Sequence, residues 1–427
     1  MAGAGGAPES PGAGLLRGAS LRTYRAERIR ALFAGVLEPA FGTFLLLVAL
    51  RQYGATPAAK AVLVAGPSVG LMAGPVIVAL VEACGVRVAA ALACLTGGAA
   101  GCLGMAALAQ SAWSYVVWCA MGGGALTCSI PLMTQVYQNN YPEALRGKLF
   151  SDALFLRILM ATGVSQFLGW WMSRFSGEFR VVVLAFSLAA AGAAGCWWGV
   201  PSEKLEPNPA GGGPLRGLRF LREDAVFRRT LLAWMLMGVG NLVMLPLRIE
   251  QLARPMGGVV RSAAQIAFLT AVVPNLARLV ATPLWGRAFD RLDFFKLRAG
   301  LNCGFALAVL SFFVGESFGW MLLGAVLYGV SQAGGDVAWS LWVTKMAPPQ
   351  RVADYMSVHT LLTGVRGVVA PAVAFHAIER CSIGVVGWVC VGLIGAANGV
   401  LWPEIRAGRS LRRVRAGEGP KEGPGAV

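Results

Sequence analysis

Charge is what this chain has little of. Charged side chains make up 14% of its 427 residues, where a soluble domain carries about 25%. So few charges cannot keep a large soluble domain in water, and an apolar content of 56% excludes an intrinsically disordered chain. Histidine is nearly absent, at two residues, and no Cys-x-x-Cys pair occurs, which leaves little from which to build a zinc site. The nine cysteines are an odd number. Most of them (Cys94, Cys102, Cys119, Cys128, Cys196, Cys303, Cys390) fall inside apolar runs, as small buried residues rather than a disulfide framework. Glycine is plentiful, yet no Gly-x-x-x-x-Gly-Lys-Ser/Thr phosphate loop is present. No loop groups His, Asp and Ser in the way a nucleophile and base require, so the chain does not read as an enzyme and calls for no cofactor.

What is present is apolar length. Mean hydropathy is +0.62, and twelve apolar runs lie near 31–50, 61–82, 88–109, 113–136, 149–172, 180–200, 230–249, 264–286, 299–315, 319–343, 354–378 and 383–402. About 20 apolar residues span a bilayer, and in lipid only helices and closed barrels satisfy their own backbone polar groups. The expected fold class is therefore all-α and polytopic, with twelve transmembrane helices. Residues 1–30, rich in Gly, Pro and Arg, read as a disordered basic tail without a signal peptide, and 403–427 as a basic C-terminal tail. The longest connection, 201–229, opens flexible and turns basic. Leu215, Leu218, Leu221 and Ala225 recur there at helical spacing among Arg216, Arg219 and Arg222, a pattern suited to a short helix on the anionic inner leaflet.

The net charge of +16 would suit a nucleic-acid partner if the bases were clustered. They are instead scattered through tails and short loops, mostly on the side that carries both termini. That asymmetry is the positive-inside pattern. It puts both termini in the cytoplasm, makes the chain a multi-pass protein of the cell (inner or plasma) membrane, and explains the basic charge without nucleic acid.

An internal repeat divides the chain. Pro39 and Pro246, Pro75 and Pro283, Glu82 and Asp290, Pro142 and Pro348, and Ser151 and Ser357 are all separated by about 207 residues, as two tandem halves require. The expected halves are a six-helix bundle over 31–200 and another over 230–402.

Between two apolar runs lies a charged island, Gly286-Arg287-Ala288-Phe289-Asp290-Arg291. Its Gly-x-x-x-Asp-Arg pattern resembles the loop signature of the major facilitator superfamily of transporters, where it joins the second and third helices of each half. A degenerate copy runs from Val78 to Arg87. There Glu82 stands for the Asp and Gly85 and Arg87 fit, while Val78 replaces the leading Gly and Ala83 the following base. The resemblance implies two six-helix pseudo-repeats that move a solute by alternating access. It also implies a cytoplasmic latch built on these acids: Asp290, beside Arg291, would face the start of helix eleven near Arg351, and Glu82 the start of helix five near Arg146.

Five charges fall inside the spans: Glu38 in helix one, Arg157 in helix five, Arg278 in helix eight, Asp336 in helix ten and Arg366 in helix eleven. Each costs roughly 2.5–3.5 kcal/mol at mid-membrane, so five unpaired charges would cost on the order of 12–17 kcal/mol. At 1.5 Å per residue the first four lie about 10–12 Å from the cytoplasmic edge and Arg366 about 18 Å, so one polar cluster is expected. Two acids and three arginines leave one arginine over. Either that arginine binds an anionic group, which its fork suits, or all five charges are structural and the solute is neutral. Glu38 is also a candidate proton carrier, because desolvation penalises a charged carboxylate, or else a permanent partner for an arginine; Asp336 is the second candidate carrier. Gln135, Gln332, Asn241 and Asn275 are candidate cavity amides. Trp339 and Trp342, three residues apart on one helix, could stack on a sugar ring or serve packing alone. Helices three, six, nine and twelve carry no interior charge, and the resemblance implies that every third helix faces lipid.

The expected activity is secondary active transport of a small polar solute, an organic anion or sugar derivative, by a monomer that couples to a proton or other cation. The alternatives are an exporter of amphipathic compounds and a non-transporting sensor or scaffold with the same fold.

Overall fold

A computed structural model describes residues 18–175, 177–205, 216–254, 261–314, 317–346 and 352–407. Among them run twelve rods: α1, Ala19–Arg51; α2, Pro57–Cys84; α3, Val88–Leu108; α4, in two pieces, Ala112–Cys128 and Ile130–Asn140; α5, Glu143–Arg174; α6, Phe179–Trp198; α7, Ala225–Ala253; α8, from Ala263–Ala267 into Val273–Arg291; α9, Phe294–Val314; α10, Phe318–Met346; α11, Val352–Ala377; and α12, Ile383–Arg406. Eleven meet the length and hydropathy needed to cross a membrane among the described residues; α10 is the one outside that set.

The starts of these helices are written locally. Thr56, Ser111 and Ser382 accept from the backbone N–H groups of Ala59, Ser114 and Val385. Asp224 accepts from Phe227 N–H at 2.8 Å, and Ser262 with Gln265 closes a reciprocal cap at the start of α8. Each satisfies an orphan N–H of a first turn. The repeated prolines fall in helices six apart: Pro39 and Pro246 inside α1 and α7, Pro75 and Pro283 inside α2 and α8.

Several expected boundaries move. The basic stretch expected in the N-terminal tail is helical from Ala19. Tyr24 is buried, and Arg30 holds Glu27 through two 2.6 Å hydrogen bonds, so part of this polar sequence has packed partners that its composition does not reveal. Residues 1–17 and 408–427, the outer parts of both expected tails, lie outside the described residues. In the central connection a short helical turn, Phe220–Glu223, docks rather than stands apart: Phe220 is buried and stacks on Tyr355 of α11 at 4.4 Å. The charged island is not a loop. α8 runs through Arg291, leaving only Leu292 and Asp293 before α9. The corresponding turn after α2 is closed by Gly85 at φ 60°, a left-handed cap in which an added Cβ would be strained.

Packing is pairwise and close. α2 lies on α4, α3 on α6, α1 on α5, α7 on α12, α9 on α10 and α12, and α8 on α10; α2 with α11 and α5 with α8 form the most extensive contacts across the sequence midpoint. Small residues permit the approaches that matter below. A Cβ at Gly35 would meet the carbonyl oxygen of Arg157, so α1 can press directly onto α5.

Candidate functional site

Two helices that feed the centre are locally widened. α1 passes through a π-turn, Ala40–Phe44, just after Pro39, and α8 through another, Phe268–Val272, just before Pro274. A proline lacks the N–H that would continue the ladder, and such turns free carbonyls and re-aim side chains. The two π-turns meet where Thr43 and Thr270 share a buried hydrogen bond of 3.0 Å.

Beside this meeting point is a cavity of about 290 Å³ drawn from α1, α2, α7, α8, α10 and α11. Glu38, Asn275, Arg278 and Gln332 lie on its wall, with Arg248 and Tyr328. Four of the five sequence-identified charges converge at its edge. Arg278 is the bridge: its Nη1 donates to Glu38 Oε1 at 2.7 Å and its Nε to Asp336 Oδ2 at 2.6 Å. Arg157 Nε lies 2.6 Å from the other Glu38 oxygen, an ion pair without hydrogen-bond alignment. Gln332 donates to Asp336 Oδ1 at 2.7 Å. Two acids meet two arginines, so the cluster balances its own charge.

Arg366, the expected fifth member, is elsewhere. It donates to the carbonyl of Trp234 and passes over Gly238, where a Cβ would collide with its guanidinium. The next residue of α11, Gly367, is on the cavity wall, so it is the azimuth of its side chain that turns Arg366 onto α7 instead. The two tryptophans take the packing alternative. Trp342 is fully buried and stacks on Phe227 at 5.7 Å, and Trp339 packs 5.7 Å from His359; neither lines the cavity. Gln135 is on an exposed face and bonds Asn139, and half-buried Asn241 stands beside the lining residue Leu242 without joining the wall. Among the latch residues, Glu82, Gly85 and Arg87 close the α2–α3 turn, where Val88 N–H donates to the backbone carbonyl of Glu203 at 3.1 Å. The side chains of Arg146, Asp290 and Arg291, Gly286, and all of Arg351 lie outside the described residues.

Four buried charges come from the edges of apolar runs, where a charge ordinarily reaches water and gives no signal in sequence. Arg248 is 7% exposed and lies 4.1 Å over the ring of Tyr328, with Nε and Nη1 lacking any hydrogen-bond partner. Lys60 and Glu250 form a buried ion pair of 2.9 Å across the sequence midpoint, extended by Arg254 at 2.8 Å. Nearby, Arg51 donates to the carbonyl of Arg261 at 2.5 Å. These contacts close the end of the molecule that carries the α1–α2 and α7–α8 connections. The fourth is Arg298, at 1% exposure near the start of α9.

A family model described as Major Facilitator Superfamily matches residues 31–371. The chain belongs to the major facilitator superfamily. It is a multi-pass membrane transporter of that family and not an enzyme. No protein of curated function matches the sequence. Its fold is similar to that of the nucleoside transporter NupG, at TM-score 0.69 and 12% identity, over 91% of this chain and 100% of that one. It is also similar to a D-xylose–proton symporter (TM-score 0.63, 16% identity, 90% and 96% covered). A third likeness is to the human organic anion transporter MFSD10 (TETRAN) (TM-score 0.62, 15% identity, 90% and 98% covered). At these identities the likeness is one of fold.

Proposed function

We propose that this transporter moves a small polar solute bearing hydrogen-bond acceptors, an organic anion or a sugar or nucleoside derivative, and couples it to a proton. The observation that carries the reading is Arg248: a buried guanidinium on the cavity wall with two unpaired donors beside the ring of Tyr328. A guanidinium fork binds a carboxylate or vicinal hydroxyls in two places at once, and a neighbouring ring offers a face on which a sugar or base can lie. The role expected of one surplus arginine among Arg157, Arg278 and Arg366 thus passes to Arg248, which lies outside that count.

Of the two candidate coupling acids, the contacts favour Asp336. Among the described contacts Glu38 meets two guanidinium groups, those of Arg157 and Arg278, and Asp336 meets Arg278 and Gln332. Of these described ion pairs, protonating Asp336 breaks one, whereas protonating Glu38 breaks two. Asp336 is therefore the better proton carrier, and Glu38 the fixed post on which Arg157 and Arg278 are held. With both termini in the cytoplasm, the Lys60–Glu250 end faces outward, and its closure gives the inward-facing state of an alternating-access cycle.

The test is flux in proteoliposomes. Nucleosides, pentoses and carboxylates are first screened by thermal shift on the purified protein, since a ligand that binds only the folded state raises the melting temperature by mass action. For a stabilising solute, Arg248→Gln should cut uptake at least about tenfold, the effect of losing one ion-assisted hydrogen bond of roughly 1.5–3 kcal/mol. Asp336→Asn should abolish proton-driven accumulation while leaving solute exchange across the membrane. Full accumulation in Asp336→Asn would remove it from the coupling step, and unchanged uptake in Arg248→Gln would remove that arginine from the solute site.

A further inference from the structure

Away from the cavity, in the packed interior shared by α7, α9, α10 and α11, lies a second concentration of polar groups. Arg298 is 1% exposed, its Cζ stands 3.5 Å from the ring centroid of Trp234, and none of its three guanidinium nitrogens has a hydrogen-bond partner. Arg366 touches the same tryptophan through its bond to the backbone carbonyl, with Nε left over. His359, two turns before Arg366 on α11, is fully buried; both ring nitrogens are unpartnered, and its ring lies 5.5 Å from Trp234 and 5.2 Å from Trp342. The indole N–H groups of Trp234 and Trp342 are unpartnered as well.

Guanidinium and indole nitrogens are donors only, so this cluster is rich in donors and positive. Stacking on Trp234 offsets part of the cost of burying Arg298, but an uncompensated buried ion still costs several kcal/mol. The carboxylates described in this part of the molecule are engaged elsewhere: Asp336 with Arg278, Glu404 with Arg229 at 2.6 Å, and Asp224 with the start of α7 and Tyr355. Among the described residues no carboxylate is paired with Arg298 or Arg366.

We propose that this cluster is a second anion site, separate from the transport cavity, and that it takes a single-atom anion of chloride size between Arg298 and Arg366, with His359 and the indole N–H groups completing the cradle. The small size follows from the packing. Rings 5.2–6.0 Å apart, on residues that are almost fully buried, leave no room for a carboxylate- or phosphate-bearing metabolite. The place is also held open for the guanidinium by Gly238, where any side chain would displace Arg366. The site would link anion concentration to the stability of the C-terminal helices, and it does not depend on the identity of the transported solute.

The experiment follows thermal unfolding of the detergent-purified protein while chloride replaces gluconate at constant ionic strength. The expected result is a saturable rise in melting temperature that bromide reproduces. The rise should be kept in Arg248→Gln and lost in Arg298→Met and Arg366→Met. In case either of the latter variants fails to fold, anomalous scattering from wild-type crystals grown in bromide should show a peak between the two guanidinium groups. No specific chloride dependence in the wild-type protein, or no bromide peak at this place, would overturn the proposal. So would loss of the effect in Arg248→Gln, because the anion would then belong to the cavity.

Discussion

The centre of the transporter and the interior of its C-terminal helices both bury arginine, and they do so in opposite ways. At the centre, Arg278 reaches Glu38 and Asp336 at 2.7 and 2.6 Å, and Arg157 supplies the second half of Glu38. Off the centre, Arg298 and Arg366 share one tryptophan and have no carboxylate among the described residues. The first arrangement sets opposite charges against each other, so that breaking one contact strands another. The second relies on ring faces, a backbone carbonyl and, on the proposal above, an anion from solution. Buried charge is therefore tolerated under two regimes in one molecule, and substitutions should tell them apart.

The largest effect is expected at the bridge. Arg278→Ala leaves Glu38 with Arg157 and takes from Asp336 its ion pair with Arg278, and breaking a buried pair costs about 3–5 kcal/mol. Thermal unfolding in detergent should show a lower melting temperature for this variant than for Arg298→Met, Gly238→Ala or Gly85→Ala; a drop no larger than that of a surface variant would mean that the cluster is hydrated and weak. Arg298→Met should have the reverse sign. Replacing an unpaired buried ion by a thioether of similar length should stabilise by about 1–4 kcal/mol in gluconate, and chloride should narrow the gap. A destabilised Arg298→Met in gluconate would show that ring stacking alone compensates the charge and that the two regions are less different than they look.

Gly238→Ala sharpens the contrast from the backbone side. It forces the Arg366 guanidinium off the Trp234 carbonyl at an overpacking cost of about 1–3 kcal/mol, and it should leave solute uptake at the central cavity unchanged. Calorimetry together with flux would read both; a matching loss of uptake would connect the two regions. The smallest effect belongs to a turn outside both. Gly85→Ala places a Cβ at φ 60° and should cost about 1 kcal/mol, seen as a small fall in melting temperature that salt does not alter.

Much of the architecture was legible in the sequence. Twelve apolar runs became twelve rods, because membrane-length hydropathy is a local property that each helix carries alone. The repeat of prolines about 207 residues apart came out as prolines inside helices six apart. Four of five in-span charges met, since a charge in an apolar run has few places to go. The failures also have physical causes. Arg366 is expected in the central cluster, and Trp342 stays open between solute stacking and packing; which way a side chain faces depends on the azimuth of its helix, and long helices carry several faces. Arg248, Lys60, Glu250 and Arg298 gave no signal because a base or acid at the end of an apolar run normally snorkels to water. In this fold neighbouring helices extend past those ends and bury them.

The sequence by itself determined the class, the helix count and the set of charges that must find partners, because hydropathy, proline spacing and caps act within a few residues. Only the tertiary structure decided that Arg278 rather than Arg366 joins the two acids, that Arg248 brings unpartnered donors to the cavity wall, and that Lys60 and Glu250 close one end. Those outcomes depend on how helices from distant parts of the chain cross, on where Gly35 and Gly238 let them come close, and on two π-turns that turn Thr43 toward Thr270. Contacts between residues more than a hundred positions apart are properties of packing, and packing is settled by all the helices at once.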